Sequence, residues 1–158
     1  MIAVETRNLT LSTLSFGVCF AVWSIFSIIG IEIKQDLGLN ETEFGLLIAT
    51  PILTGSLTRI FLGIWADQYG GRSVFFAVMV LTAIATWMLS MASTYPMFLL
   101  SALGVGLAGG SFAVGITFVS CWYGKDRQGM MLGIFGMGNA GAAVTSFCAP
   151  FLLVAYGW

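Results

Sequence analysis

The sequence predicts an all-α bundle of about five membrane-spanning helices. Apolar residues fill 58% of its 158 positions and charged residues only 8%, where a soluble domain carries about 25% charged residues. The apolar residues are gathered into runs long enough to cross a hydrocarbon core of ~30 Å as helix. Polar residues are gathered between those runs, and in lipid a run of this kind satisfies its backbone N–H and C=O groups only as a helix. No low-complexity linker divides the chain, so 1–158 reads as one membrane domain.

The first span is expected at about 9–30. One basic residue, Arg7, precedes it, the run is too long for the apolar core of a signal peptide, and no clean small-residue cleavage site follows. It is therefore expected to be retained. A polar link follows, IEIKQDLGLNETE, with Asp36 ahead of a turn at Gly38. Thr42, with Glu43 beside it, is the expected N-cap of the second span, about 44–66. Residues Asp67 to Arg72 form a short loop into the third span, about 73–92. Ser93, Thr94 and Tyr95 make a tight link, and Pro96 suits the first turn of the fourth span, about 96–123. The link GKDRQG leads to the fifth, about 130–156.

With the N-terminus in the cytoplasm, Arg7, Arg72, Lys125 and Arg127 are cytoplasmic. Lys34 is then alone outside, among Glu32, Asp36, Glu41 and Glu43. That is the favoured bias of basic residues, so a multi-pass protein of the plasma or inner membrane is expected. Trp65, Trp122 and Trp158 stand near span ends, as interfacial anchors do, whereas Trp23 and Trp87 do not fit that pattern. Sequons stand at Asn8 and Asn40.

Several functions are disfavoured. The net charge is -1 and there is no polybasic patch, so nucleic acid is not an expected partner. Histidine is absent, and Cys19, Cys121 and Cys148 fit no metal-ligand spacing; they read as small buried hydrophobes, with no metal expected. No nucleophile has a base at a useful spacing, and no cofactor is implied, so an enzyme is not expected. Gly104, Gly106 and Gly109 formally satisfy G-x-G-x-x-G, but inside an apolar run with no preceding strand. Close helix packing through Gly106 and Gly110 is the better reading.

Three stretches carry chemistry. Arg59 lies inside the second apolar run, about 6 Å beyond its centre near Gly55 at 1.5 Å per residue. No Asp or Glu lies at its depth, and an unpaired buried guanidinium costs several kcal/mol. It either snorkels to the headgroups or serves an anion, whose planar oxygens a guanidinium matches bidentately. Arg59, Gly63 and Asp67 recur at i, i+4, i+8 on one helix face. Gly63 would admit a close neighbouring helix, Gly70 and Gly71 would permit the turn, and Asp67, unfavourable at a helix C-terminus, would pair with Arg72 or with a neighbouring helix N-terminus. The fifth run, GMMLGIFGMGNAGAAVTSF, sets Asn139 among Gly129, Gly133, Gly136, Gly138 and Gly141. Asn139 reads either as an interhelical hydrogen bond or as a ligand. Phe112, after Gly109, Gly110 and Ser111, reads either as packing or as an aromatic wall.

The loop G-xxx-D-xx-G-G-R resembles the cytoplasmic loop motif between helices two and three of the major facilitator superfamily. The run ending G-x-G-N-x-G resembles the nitrate signature on the fifth helix of its nitrate/nitrite porter family, and Arg59 and Phe112 fall where that family carries an arginine and a phenylalanine. The resemblance implies a truncated N-terminal half of that fold, with the sixth helix and the C-terminal half absent. It also implies a nitrate or nitrite anion as cargo, carried across the lipid bilayer by alternating access. Arg59 would then ligate the anion, Asn139 would hydrogen-bond it, and Phe112 would cover its flat face. Gly136 and Gly138 would belong to the anion's binding site and let the fifth helix bend, and Asp67 and Arg72 would lock the inward edge.

Overall fold

Helices cover all five apolar runs, and the breaks between them fall at 24–25, 38–40, 70, 91–94 and 121–124. The computed structural model describes residues 2–156, with side chains for 4–155. Helices α1 (Ile2–Trp23) and α2 (Phe26–Leu37) make up the first stretch. They are followed by α3 (Glu41–Tyr69), α4 (Gly71–Ser90) and α5 (Tyr95–Ser120). The fifth stretch is α6 (Lys125–Gly136), a 3-10 turn (Met137–Asn139) and α7 (Ala140–Tyr156). Five stretches are long and apolar enough to cross a membrane, as the sequence predicts.

Helix α5 is the hub. It packs against α3, α4 and α1, and its small residues Ser101, Ala102, Ala108 and Ser111 are all buried. Two apolar clusters lie along it. One gathers Phe16, Leu62, Phe75, Val114 and Phe135. The other gathers Phe26, Ile33, Leu47, Phe98 and Val105. Arg7, Arg72 and Phe118 line one cavity, which places the start of α1, the start of α4 and the end of α5 at the same end of the bundle. At the other end the Tyr95 hydroxyl donates to the Glu43 carbonyl at 3.0 Å, tying the start of α5 to the start of α3.

Several expectations need correction. The link after the first span is not a loop from Ile31 onward, because α2 continues to Leu37. Phe26, Ile29 and Ile33 recur at helical spacing and bury one stripe, while Glu32, Gln35 and Asp36 stay outside. The N-cap of α3 is Asn40 and not Thr42. The Asn40 side chain accepts from the Glu43 N–H at 2.9 Å, and the Glu43 carboxylate accepts from the Asn40 N–H at 3.0 Å, a complete capping box. The fourth span stops at Ser120, short of 123.

Only Gly70 makes the turn between α3 and α4, at φ +85, where side chains are disfavoured. Gly71 already belongs to α4, and a Cβ there would lie 2.7 Å from Cβ of Phe118, so its smallness serves packing. Of the cysteines only Cys19 is buried; Cys121 and Cys148 are exposed on the outside of the bundle. Trp158 lies outside the described residues.

Candidate anion site

Gly55 is the midpoint of α3, and Arg59 sits one turn beyond it. The Arg59 side chain is half-buried and turns toward α5, where its Nε–H donates to the Gly109 carbonyl at 3.0 Å. The Trp23 ring lies 5.9 Å from the guanidinium carbon, within the range at which an indole face attracts a cation. Among the described residues no carboxylate lies within 4.0 Å of Arg59. Its two Nη amino groups have no hydrogen-bond partner there either, so most of its five donors remain unspent. The side chain is thus anchored sideways to a neighbouring helix through Nε.

Trp23 is the residue that sequence reasoning missed. It ends α1 at the Ser24–Ile25 break, and its indole N–H donates to the Pro51 carbonyl at 3.0 Å. The ring fills a slot between two glycines. A Cβ on Gly55 would lie 3.0 Å from the indole nitrogen, and a Cβ on Gly109 would lie 2.8 Å from it. The signal was present: a tryptophan away from either interface needs a partner for its N–H.

Phe112, one turn after Gly109 on α5, joins an aromatic cluster. Its ring centroid is 5.3 Å from that of Phe16 and 6.0 Å from that of Phe135. Phe16 in turn packs on Gly138, where an added Cβ would collide with the Phe16 ring and lie 3.0 Å from the Thr13 carbonyl. Through Phe16, therefore, Phe112 and Gly138 belong to one neighbourhood. Asn139 does not join it. It ends the 3-10 turn with its side chain exposed, and among the described residues it has no hydrogen bond to Arg59 or Phe112. Gly136, just before the turn, has nothing within 4 Å of an added Cβ.

The loop residues are split between two sides. Asp67 lies beside the end of α5, lining a cavity with Gly70, Gly71, Thr117, Phe118 and Trp122. Arg72 is carried round to the α1 side. Both are exposed, and among the described residues they form no ion pair with each other or with anything else. The cause is the abrupt start of α4 one residue after Gly70, which rotates Arg72 away from Asp67. Gly63 has no close neighbour, since nothing lies within 4 Å of an added Cβ. Helix α3 buries the stripe of Pro51, Gly55, Leu62 and Ala66, and Gly63 falls just off it.

These features define a polytopic α-helical membrane protein with an uncompensated cation held midway along one span. Over residues 11–158 the sequence matches the Major Facilitator Superfamily, and the chain belongs to that superfamily. It is 47% identical over 147 residues to the probable nitrate/nitrite antiporter NarK1 of Thermus thermophilus, an alignment covering 93% of this chain and 33% of that protein. It is 37% and 39% identical over 151 residues to the probable nitrate transporters NarT of Staphylococcus epidermidis and Staphylococcus haemolyticus, covering 96% of this chain and 39% of each. The chain thus spans between about a third and two-fifths of the length of the curated relatives it matches.

Proposed function

We propose that the chain is the N-terminal part of a nitrate/nitrite transporter that works by alternating access, with Arg59 as an anion ligand. The observation that carries this reading is the Arg59 guanidinium, fixed through Nε on Gly109 with its Nη groups unspent and no carboxylate beside it. A planar monovalent oxyanion takes two parallel hydrogen bonds from such a fork. The names of the relatives supply the cargo. Phe112 would flank the anion on the α5 side. Asn139 would turn inward when the rest of a relative-length protein covers its face, with Gly136 just before and Gly138 inside the 3-10 turn that lets α6 and α7 reorient. The spans hold no deep carboxylate or histidine to carry a proton, which favours exchange over proton symport. The end bearing Arg7, Arg72, Lys125 and Arg127 would face the cytoplasm, where Asp67 and Arg72 would meet the second half of the transporter.

The test is nitrate transport into proteoliposomes by the relative-length protein containing these 158 residues. Arg59→Lys keeps the charge but removes the fork, and uptake should fall by about 100-fold or more, a loss of about 2.8 kcal/mol of anion stabilisation. Uptake within about twofold of the unsubstituted protein would remove Arg59 from the site. Competition by nitrite but not by larger carboxylates would set this cargo apart from another small anion.

A further inference from the structure

The Trp23 indole is the piece of α1 that meets Arg59, and it is itself firmly held. Its N–H donates to the Pro51 carbonyl at 3.0 Å. Its nitrogen edge fills the slot between Gly55 of α3 and Gly109 of α5. Phe20, one turn earlier on α1, packs on it with ring centroids 5.1 Å apart. Pro51, Gly55 and Arg59 follow at i, i+4 and i+8 on one face of α3. The ring that spans the first two therefore meets the guanidinium of the third, 5.9 Å from its centre to the guanidinium carbon. All these groups lie in the seam where α1 and α3 pack on α5, within this chain.

We propose that Trp23 is a positioning residue for the anion site, fixing the direction in which the Arg59 Nη groups point. This role rests on the reading of Arg59 as the anion ligand. One hydrogen bond, from Nε to the Gly109 carbonyl, holds the guanidinium at a point and leaves its plane free to turn about that bond. A second contact is needed to fix the plane, and among the described residues no ion pair provides it. A carboxylate would provide it, but would also take two of the remaining donors and repel an anion. An indole attracts the cation through its π face, leaves the in-plane N–H donors free, and carries no charge to repel a monovalent oxyanion. Arg59 is thereby steadied while its Nη fork stays available.

The test is nitrate uptake by the relative-length protein in proteoliposomes, with KM and Vmax separated and Vmax counted per folded transporter. Trp23→Leu should raise the KM for nitrate about 10-fold, within the range of a cation–π contact, with Vmax within about twofold. Trp23→Phe keeps a ring face without the N–H, and its KM should stay within about threefold of the unsubstituted protein. A merely structural tryptophan gives another pattern, a loss of folded protein in both variants at constant KM. Unchanged KM in Trp23→Leu overturns the proposal. So does an equal rise in the Leu and Phe variants, which assigns the effect to the N–H. The Arg59 Nε–H resonance in heteronuclear NMR, identified by its loss in Arg59→Lys, reports on the contact without any anion. Trp23→Leu should shift it and quicken its exchange with water, and a resonance that does not move overturns the proposal. Where it moves and Arg59→Lys transports normally, Arg59 is not the ligand and both readings fall. Where Arg59→Lys abolishes uptake and Trp23→Leu leaves KM unchanged, the positioning role falls alone. If Trp23→Leu does not fold, Trp23→Met, an unbranched apolar chain that fills the slot without a ring, replaces it under the same criteria.

Discussion

The glycines of α5 and those of the fifth span lie in apolar helices and read alike in sequence, yet their surroundings differ. In α5 a Cβ on Gly106 would lie 2.6 Å from Cβ of Thr54 and 3.0 Å from the Pro51 carbonyl. On Gly109 it would meet Trp23, on Gly110 the Leu62 side chain, and on Gly115 the Phe135 ring. In the fifth span Gly129, Gly133 and Gly136 have nothing within 4 Å, and only Gly138 and Gly141 touch α1. A glycine pattern therefore states that a close approach is allowed, and the neighbour decides whether it is used. Where it is used, the helix gains packing that offsets the low helix propensity of glycine. Where it is not, the propensity loss of about 1 kcal/mol per glycine stands uncompensated, and α6 gives way to a 3-10 turn directly after Gly136.

That contrast can be broken by substitution, with thermal unfolding in detergent as the measurement. Gly141→Ala should be the most damaging, at about 2–3 kcal/mol, in the upper part of the overpacking range. The new methyl would meet the backbone carbonyl of Gly17, which cannot rotate aside. Trp23→Phe should cost about 1–2 kcal/mol, because it removes the donor to the Pro51 carbonyl and leaves part of the glycine slot empty. Gly133→Ala should be neutral or stabilising by up to about 1 kcal/mol, since the methyl meets open space and helix propensity rises. If Gly133→Ala proves as harmful as Gly141→Ala, the two classes of glycine are one, and the fifth span packs more tightly than its surroundings indicate.

The spans were legible because hydropathy over about 20 residues is a strong signal that no tertiary contact overrides. Their ends were less so. The polar residues of α2 masked an apolar stripe at Phe26, Ile29 and Ile33, and the capping box at Asn40 and Glu43 was hidden behind a neighbouring threonine. The isolation of Arg59 from carboxylates could be read from its depth alone, whereas its anchor on Gly109 could not, because that bond joins residues 50 positions apart. Gly106 and Gly110 do pack against α3, as their spacing predicts. Gly63 does not, since one residue of rotation separates it from the buried stripe of α3. The separation of Asp67 from Arg72 depends on where α4 begins, which a run of two glycines leaves open.

One contact sets a condition on how this sequence can vary over time. Gly109 both offers its carbonyl to Arg59 and leaves room for the Trp23 ring. An alanine at 109 would press on an indole already pinned by Pro51, so it becomes tolerable only together with a smaller ring at 23. The two positions, 86 residues apart in the chain, are thus expected to change as a pair, and a substitution at one should open the way to the other.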